Sequence, residues 1–118
     1  MIKVKILIVD DEEDFCMVMR NYFIKKGYEV LLAFNLFSGL QLLKEKEPDV
    51  LFLDNNLPDG DGWSHTESIL ERNPSLQINL ISAYKEKDFR LDSFPNVNIW
   101  EKPISIRRLE EVFSMPTD

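Results

Sequence analysis

Apolar residues fall along this chain in two alternating rhythms. Short segments read as strands: Lys3 to Val9, rich in β-branched residues, then Tyr28 to Phe34, Val50 to Leu53, Gln77 to Ser82 and Val97 to Trp100. Between them lie segments whose apolar positions recur three and four apart, the spacing of one helix face. Asp14 to Lys26 carries Phe15, Val18, Met19, Tyr22 and Phe23, and Gly27 supplies its stop. Asn35 is placed to cap a second helix with Leu36, Leu40 and Leu43 inward, ended by Pro48. Trp63, Thr66, Ile69 and Leu70 outline a third, closed by Asn73 and Pro74. Ser105 is placed to cap a last helix with Ile106, Leu109, Val112 and Phe113 inward. Residues 84–96 have only Phe89, Leu91 and Phe94 as apolar anchors and read as one short helix or an irregular segment.

Strand and helix alternating in this way imply a parallel sheet covered on both faces. Val50 to Leu53 is apolar without interruption, the mark of a strand buried on both sides. The expected class is α/β, doubly wound, with about five helices. The 118 residues make one domain, and 44% hydrophobic content fills a core. A net charge of -7 argues against a nucleic-acid surface, and Arg107-Arg108 is too short a basic cluster to reverse that. No apolar run reaches the ~20 residues that span a bilayer, so a cytoplasmic protein is expected. The single Cys16 reads as a small apolar residue flanking a helix face.

The chemistry gathers where strands end. Asp10 and Asp11 follow the first strand, Asp54 the third, Ser82 the fourth, and Lys102 the fifth. Open α/β sheets bind their ligands at such carboxyl ends. Adjacent first and third strands would bring Asp11 toward Asp54, and carboxylates sharing a pocket repel unless a cation joins them. Oxygen donors with no His or Cys nearby suit Mg²⁺ or Mn²⁺. An Asp carboxylate is a competent nucleophile toward phosphorus. Lys102 is suited to holding a phosphate oxygen as a point charge, and the Ser82 hydroxyl to donating to another. Taken alone, the run Asp10-Asp11-Glu12-Glu13-Asp14 would be a solvated helix start. Asp59 and Asp61 read as turn formers and His65 as a surface residue of the third helix.

Val9-Asp10-Asp11-Glu12, the run Leu53-Asp54-Asn55-Asn56-Leu57-Pro58-Asp59-Gly60-Asp61-Gly62, Ile81-Ser82-Ala83 and Lys102-Pro103 together resemble the receiver domain of two-component response regulators. The resemblance covers essentially residues 1–118, as a stand-alone receiver or one cut from a longer protein. It implies a flavodoxin-like, five-stranded parallel sheet in the order 2-1-3-4-5 and a cis Lys102-Pro103 peptide. It makes Asp54 the phosphoacceptor. Asp11, Asp54 and the backbone carbonyl of Asn56 become ligands of Mg²⁺, with Asp10 acting through a metal-bound water. Ser82 becomes the switch hydroxyl and Lys102 the phosphate-binding cation. The implied partners are a sensor histidine kinase or histidine phosphotransfer protein and a downstream output protein or domain, with a homodimer also allowed. The chain would receive a phosphoryl group rather than turn over a substrate.

The chain departs from the family pattern near its end. Ile99 stands three residues before the Lys, where receivers usually carry Tyr or Phe, and Trp100 follows it. Because side chains alternate along a strand, Trp100 is expected to face the other way. The segment between Ser82 and Lys102 is about two residues shorter than usual for receivers and lacks their customary Gly-Ala. Asn56, two residues past the acceptor, is polar and suited to placing a hydrolytic water. Two other readings compete. A degenerate receiver would act as a binding module without phosphorylation. A phosphohydrolase with an Asp nucleophile would need Asp-x-Asp after the first strand, where Asp10-Asp11-Glu12 stands instead.

Overall fold

The structure, a computed structural model, describes residues 3–83 and 94–113. Its elements run β1 (Lys5–Val9), α1 (Glu13–Lys25), β2 (Glu29–Ala33), α2 (Leu36–Lys46), β3 (Val50–Asp54), β4 (Asn56–Leu57), β5 (Gly60–Asp61), a 3-10 turn (Trp63–His65), α3 (Thr66–Arg72), β6 (Gln77–Ser82), β7 (Val97–Glu101) and α4 (Ile106–Val112). Five strands form one sheet in the order β2-β1-β3-β6-β7, every neighbouring pair parallel. With the two-residue β4 and β5 set aside, this is the expected order 2-1-3-4-5. Of the segment 84–96 expected as a short helix or irregular, residues 84–93 lie outside the described residues and 94–96 form a bend and turn. No helix among the described residues is long and apolar enough to cross a membrane.

Alternation along the central strands splits the core into two layers. Leu7, Val9, Leu51, Leu53 and Leu80 meet Leu36 and Leu43 of α2 and Ile69 of α3. Ile6, Ile8, Phe52, Ile81 and Trp100 meet Cys16, Met19 and Phe23 of α1 and Leu109 of α4. All five residues of β3 are buried, as a central parallel strand requires. Gly39 lets α2 approach the sheet, since a Cβ there would lie 2.7 Å from a Val9 methyl.

The helices show where local signals decide and where packing overrides them. Asn35 caps α2, its Oδ1 accepting from Ser38 N–H at 2.8 Å. Ser105 caps α4 through Arg108 N–H at 3.3 Å. Gly27, at φ +93°, follows the end of α1. The inward face of α1 needs correction: its seam is Cys16, Met19 and Phe23, and Val18 is 61% exposed. Val18 lies two residues from Cys16, about 200° around the helix, and points away from the sheet. The same holds for α4, where Leu109 and Phe113 are buried but Ile106 and Val112 flank the seam and stay exposed. Trp63 to His65, expected in the third helix, form the 3-10 turn that precedes it.

Candidate functional site

The register of the sheet levels the carboxyl ends of its inner strands. Val9 pairs with Leu53, Asp54 with Ile81, and Ser82 with Glu101. Asp10, the residue after β1, is anchored by its N–H to Ala33 O at 3.0 Å. Asp54 closes β3, and Asn55 N–H donates to Ile81 O at 3.3 Å, tying the following loop to β6. Gly62 packs directly against the backbone carbonyl of Asp54, a position with no room for a Cβ. The loop therefore folds back beneath the strand end.

One carboxylate oxygen from each of Asp10, Asp11 and Asp54 lies within 4.8 Å of the other two. Asp10 is fully buried, Asp54 is 6% exposed, and Asp11 is open to solvent. Burial, and then the charge of Asp10, push the Asp54 carboxyl up to about 6, against the pull of Lys102 and of the Asn55 and Asn56 amides. Burial likewise raises Asp10, and its pairing with Lys102 and the Glu12 amide only partly offsets this. Lys102 Nζ sits 2.8 Å from Asp10 Oδ2 and 2.6 Å from Glu12 Oε1, and 4.4 Å above the Phe15 ring. Burial disfavours the ammonium, but its bonds to Asp10 and Glu12 outweigh that and raise its pKa.

Of the other expected residues, Ser82 ends β6 and Asn56 lies just past the end of β3. Ser82 is 2% exposed at the end of β6, and its carbonyl accepts from Lys102 N–H at 2.8 Å. Asn56 is exposed at the start of β4, paired with Asp61 of β5. Asp11, Asn55, Asn56 and Asp61 border a shallow opening beside the acids. The Lys102-Pro103 peptide is cis. Asp61 behaves as a turn former, accepting from Trp63 N–H at 3.1 Å. Asp59 does more: its two oxygens accept from Leu36 N–H at 2.7 Å and Phe37 N–H at 2.9 Å. It thus ties the loop after β3 to the start of α2. Nothing in the sequence singles Glu12 out of its acidic run, yet its carboxylate reaches Lys102. The one available signal is a glutamate at a helix N-cap, where it is disfavoured.

The donor set fits a small hard cation. All three groups are carboxylates, without His or Cys. Oδ2 of buried Asp10 pairs with Lys102 by charge but receives no well-directed hydrogen bond, leaving it able to accept more.

A family model for the response regulator receiver domain matches residues 6–113. Among curated relatives, transcriptional regulatory protein YxdJ of Bacillus subtilis is 34% identical over 84 residues, which cover 71% of this chain and 37% of that protein. Sporulation initiation phosphotransferase F of the same organism is 29% identical over 93 residues, 79% of this chain and 75% of that one. The chain thus spans well under half the length of some relatives it matches and most of another. Among solved structures, a CheY-like response regulator receiver domain protein from Methanospirillum hungatei superposes with a TM-score of 0.81 at 23% identity, over 94% of this chain and 90% of that one. At that identity the likeness concerns the fold.

Proposed function

This chain belongs to the response regulator receiver domain family, and on that premise we propose that it accepts a phosphoryl group on Asp54. The observation that supports the reading most is the meeting of Asp10, Asp11 and Asp54 beside Lys102, at the level ends of β1, β3 and β7. Asp54 is the acid placed for nucleophilic work. It ends the central strand, it borders both other acids, and it is neither sealed like Asp10 nor exposed like Asp11.

An Asp54 oxygen attacks the phosphorus of a phosphohistidine on a sensor kinase or phosphotransfer protein. The P–N bond breaks, the imidazole takes its electron pair and a proton, and an acyl phosphate remains. Mg²⁺, held by Asp11, Asp54 and the backbone carbonyl of Asn56, with Asp10 through a water, would neutralise charge on the phosphoryl oxygens. Lys102 gives its ammonium to one phosphoryl oxygen and the Ser82 hydroxyl donates to another. Phe15, Val18, Ile104 and Ile106 line an apolar groove that borders Lys102, which suits a protein donor pressed against this edge. An output domain or partner protein reads the change, and a cytoplasmic location accords with this role.

The test is uptake of label from phosphoramidate. The chain takes up one phosphoryl group with Mg²⁺ present, and loses the ability with chelator or in Asp54→Asn. No uptake would leave a binding module, and repeated turnover of an external ester a phosphohydrolase. Val18→Asp should slow transfer from a protein donor while leaving phosphoramidate uptake unchanged.

A further inference from the structure

Glu12 stands at the N-cap of α1 with an extended backbone, and its side chain makes no capping hydrogen bond. Short side chains serve that position, because they reach back to the amides of the first turn. The Glu12 carboxylate is committed elsewhere: Oε1 accepts from Lys102 Nζ at 2.6 Å, 90 residues along the chain. The backbone N–H of the same residue donates to Asp10 Oδ1 at 2.8 Å. Asp10 Oδ2 in turn lies 2.8 Å from Lys102 Nζ. The contacts close a ring from Asp10 through the Glu12 backbone, the Glu12 side chain and Lys102 back to Asp10. The Phe15 ring covers the ammonium from a further side, and the Lys102 side chain is 13% exposed. Among the described residues the close ion-pair partners of Lys102 are Asp10 and Glu12, while Asp54 acts on it by charge from farther away. A residue that breaks a local rule and gains a distant contact marks a position where function outweighs helix stability.

We propose that Glu12 is a positioning residue that latches Lys102 in the resting chain and competes with the phosphoryl group on Asp54 for its ammonium. The inference rests on Asp54 being the phosphoacceptor. An ammonium has three donors. Asp10 is buried and cannot be left without its cation at acceptable cost, whereas Glu12 is 62% exposed and water replaces its partner. Glu12 is therefore the contact that Lys102 gives up when phosphate arrives. The latch slows acceptance of the phosphoryl group and, by drawing Lys102 back, shortens its stay.

Three forms of the chain separate contact from charge: the parent, Glu12→Gln and Glu12→Asp. Aspartate keeps the charge but is one methylene too short to span the ring. Uptake from phosphoramidate is followed at saturating Mg²⁺, with the Lys102 Nζ resonance recorded beforehand by NMR. Both variants should speed uptake about two- to fivefold, the range for loss of a partly exposed ion pair, and both should move the Lys102 resonance. Thermal unfolding of Glu12→Gln should stay near that of the parent, and Glu12→Asp, a better N-cap, should be no less stable, which a purely structural role for the contact would not allow. If only Glu12→Gln is faster, Glu12 acts through its charge and the latch is wrong. If neither variant changes rate and resonance, it is wrong as well. If the parent takes up no phosphoryl group, the phosphoacceptor reading fails, and the resonance alone then decides whether Glu12 holds Lys102.

Discussion

The indole N–H of Trp100 donates to Oδ1 of Asn79 at 2.9 Å, between two neighbouring strands in the interior of the sheet. Asn79 passes the contact on, its Nδ2 donating to Leu51 O at 3.3 Å on the next strand. Both residues are buried, and Trp100 is packed by Phe52 and Phe113 and overlain by the Arg108 guanidinium at 4.4 Å. Ile99 packs into the opposite layer, beside the residues that meet α2 and α3. Trp100 thus faces away from the side that Ile99 occupies, as strand alternation requires. Trp100→Phe strands the Asn79 oxygen, and Asn79→Leu strands the indole N–H. Each should cost about 1–3 kcal/mol in urea unfolding. The double variant should cost less than the sum, by about 1 kcal/mol or more; strict additivity would show that the bond contributes nothing.

Asp59 is a stabilising acid whose effect depends on pH. Its contacts with the Phe37 and Leu36 amides hold its carboxyl below the usual carboxylate range. A depressed folded value means the contribution is complete above the unfolded pKa and disappears as pH falls through the folded one. Asp59→Asn should lower the unfolding midpoint at neutral pH and match the parent in strong acid. A gap that stays constant with pH would contradict a charge-dependent cap.

Asp54 acts in the reverse sense. Its value rises from 3.8 to about 6 in the folded chain. Between those values the folded state binds the proton that the unfolded state has released, so stability falls as pH rises through this window and stays reduced above it. In chelator near neutral pH, Asp54→Asn should be more stable than the parent by about 1–3 kcal/mol, with the gap closing in acid. A variant less stable than the parent under those conditions would show that burial and the charge of Asp10 do not disfavour the Asp54 carboxylate as described.

Asn56 lies exposed at the edge of the opening beside the acids. A polar side chain there can order water near the acceptor. Asn56→Leu should lose bound label several-fold more slowly after removal of the donor. An unchanged or faster loss would exclude a part for Asn56 in hydrolysis.

Much of this molecule can be read from its sequence because its signals are local. Gln77 to Ser82 carries Ile78, Leu80 and Ile81 after the turn signal Asn73-Pro74, and β6 has those same ends. Asp10, Asp54 and Lys102 each follow such a run, so naming the strands also places the site. What the sequence hides depends on contacts between distant segments. Asp59 looks like one more turn residue until α2 is seen to begin beside it. Glu12 joins Lys102 only because β1 and β7 end at the same edge. Helix faces are blurred for a different reason: α1 offers more apolar residues than one seam can bury, and only packing decides that Cys16 is covered while Val18 is not.

Borohydride reduction of the phosphorylated chain tests the central claim most directly, because it converts an aspartyl phosphate to homoserine that peptide sequencing by mass spectrometry can place. Homoserine is expected at position 54, and only when phosphoramidate and Mg²⁺ were both present. Homoserine at another aspartate, or none in a chain that has taken up label, would contradict it.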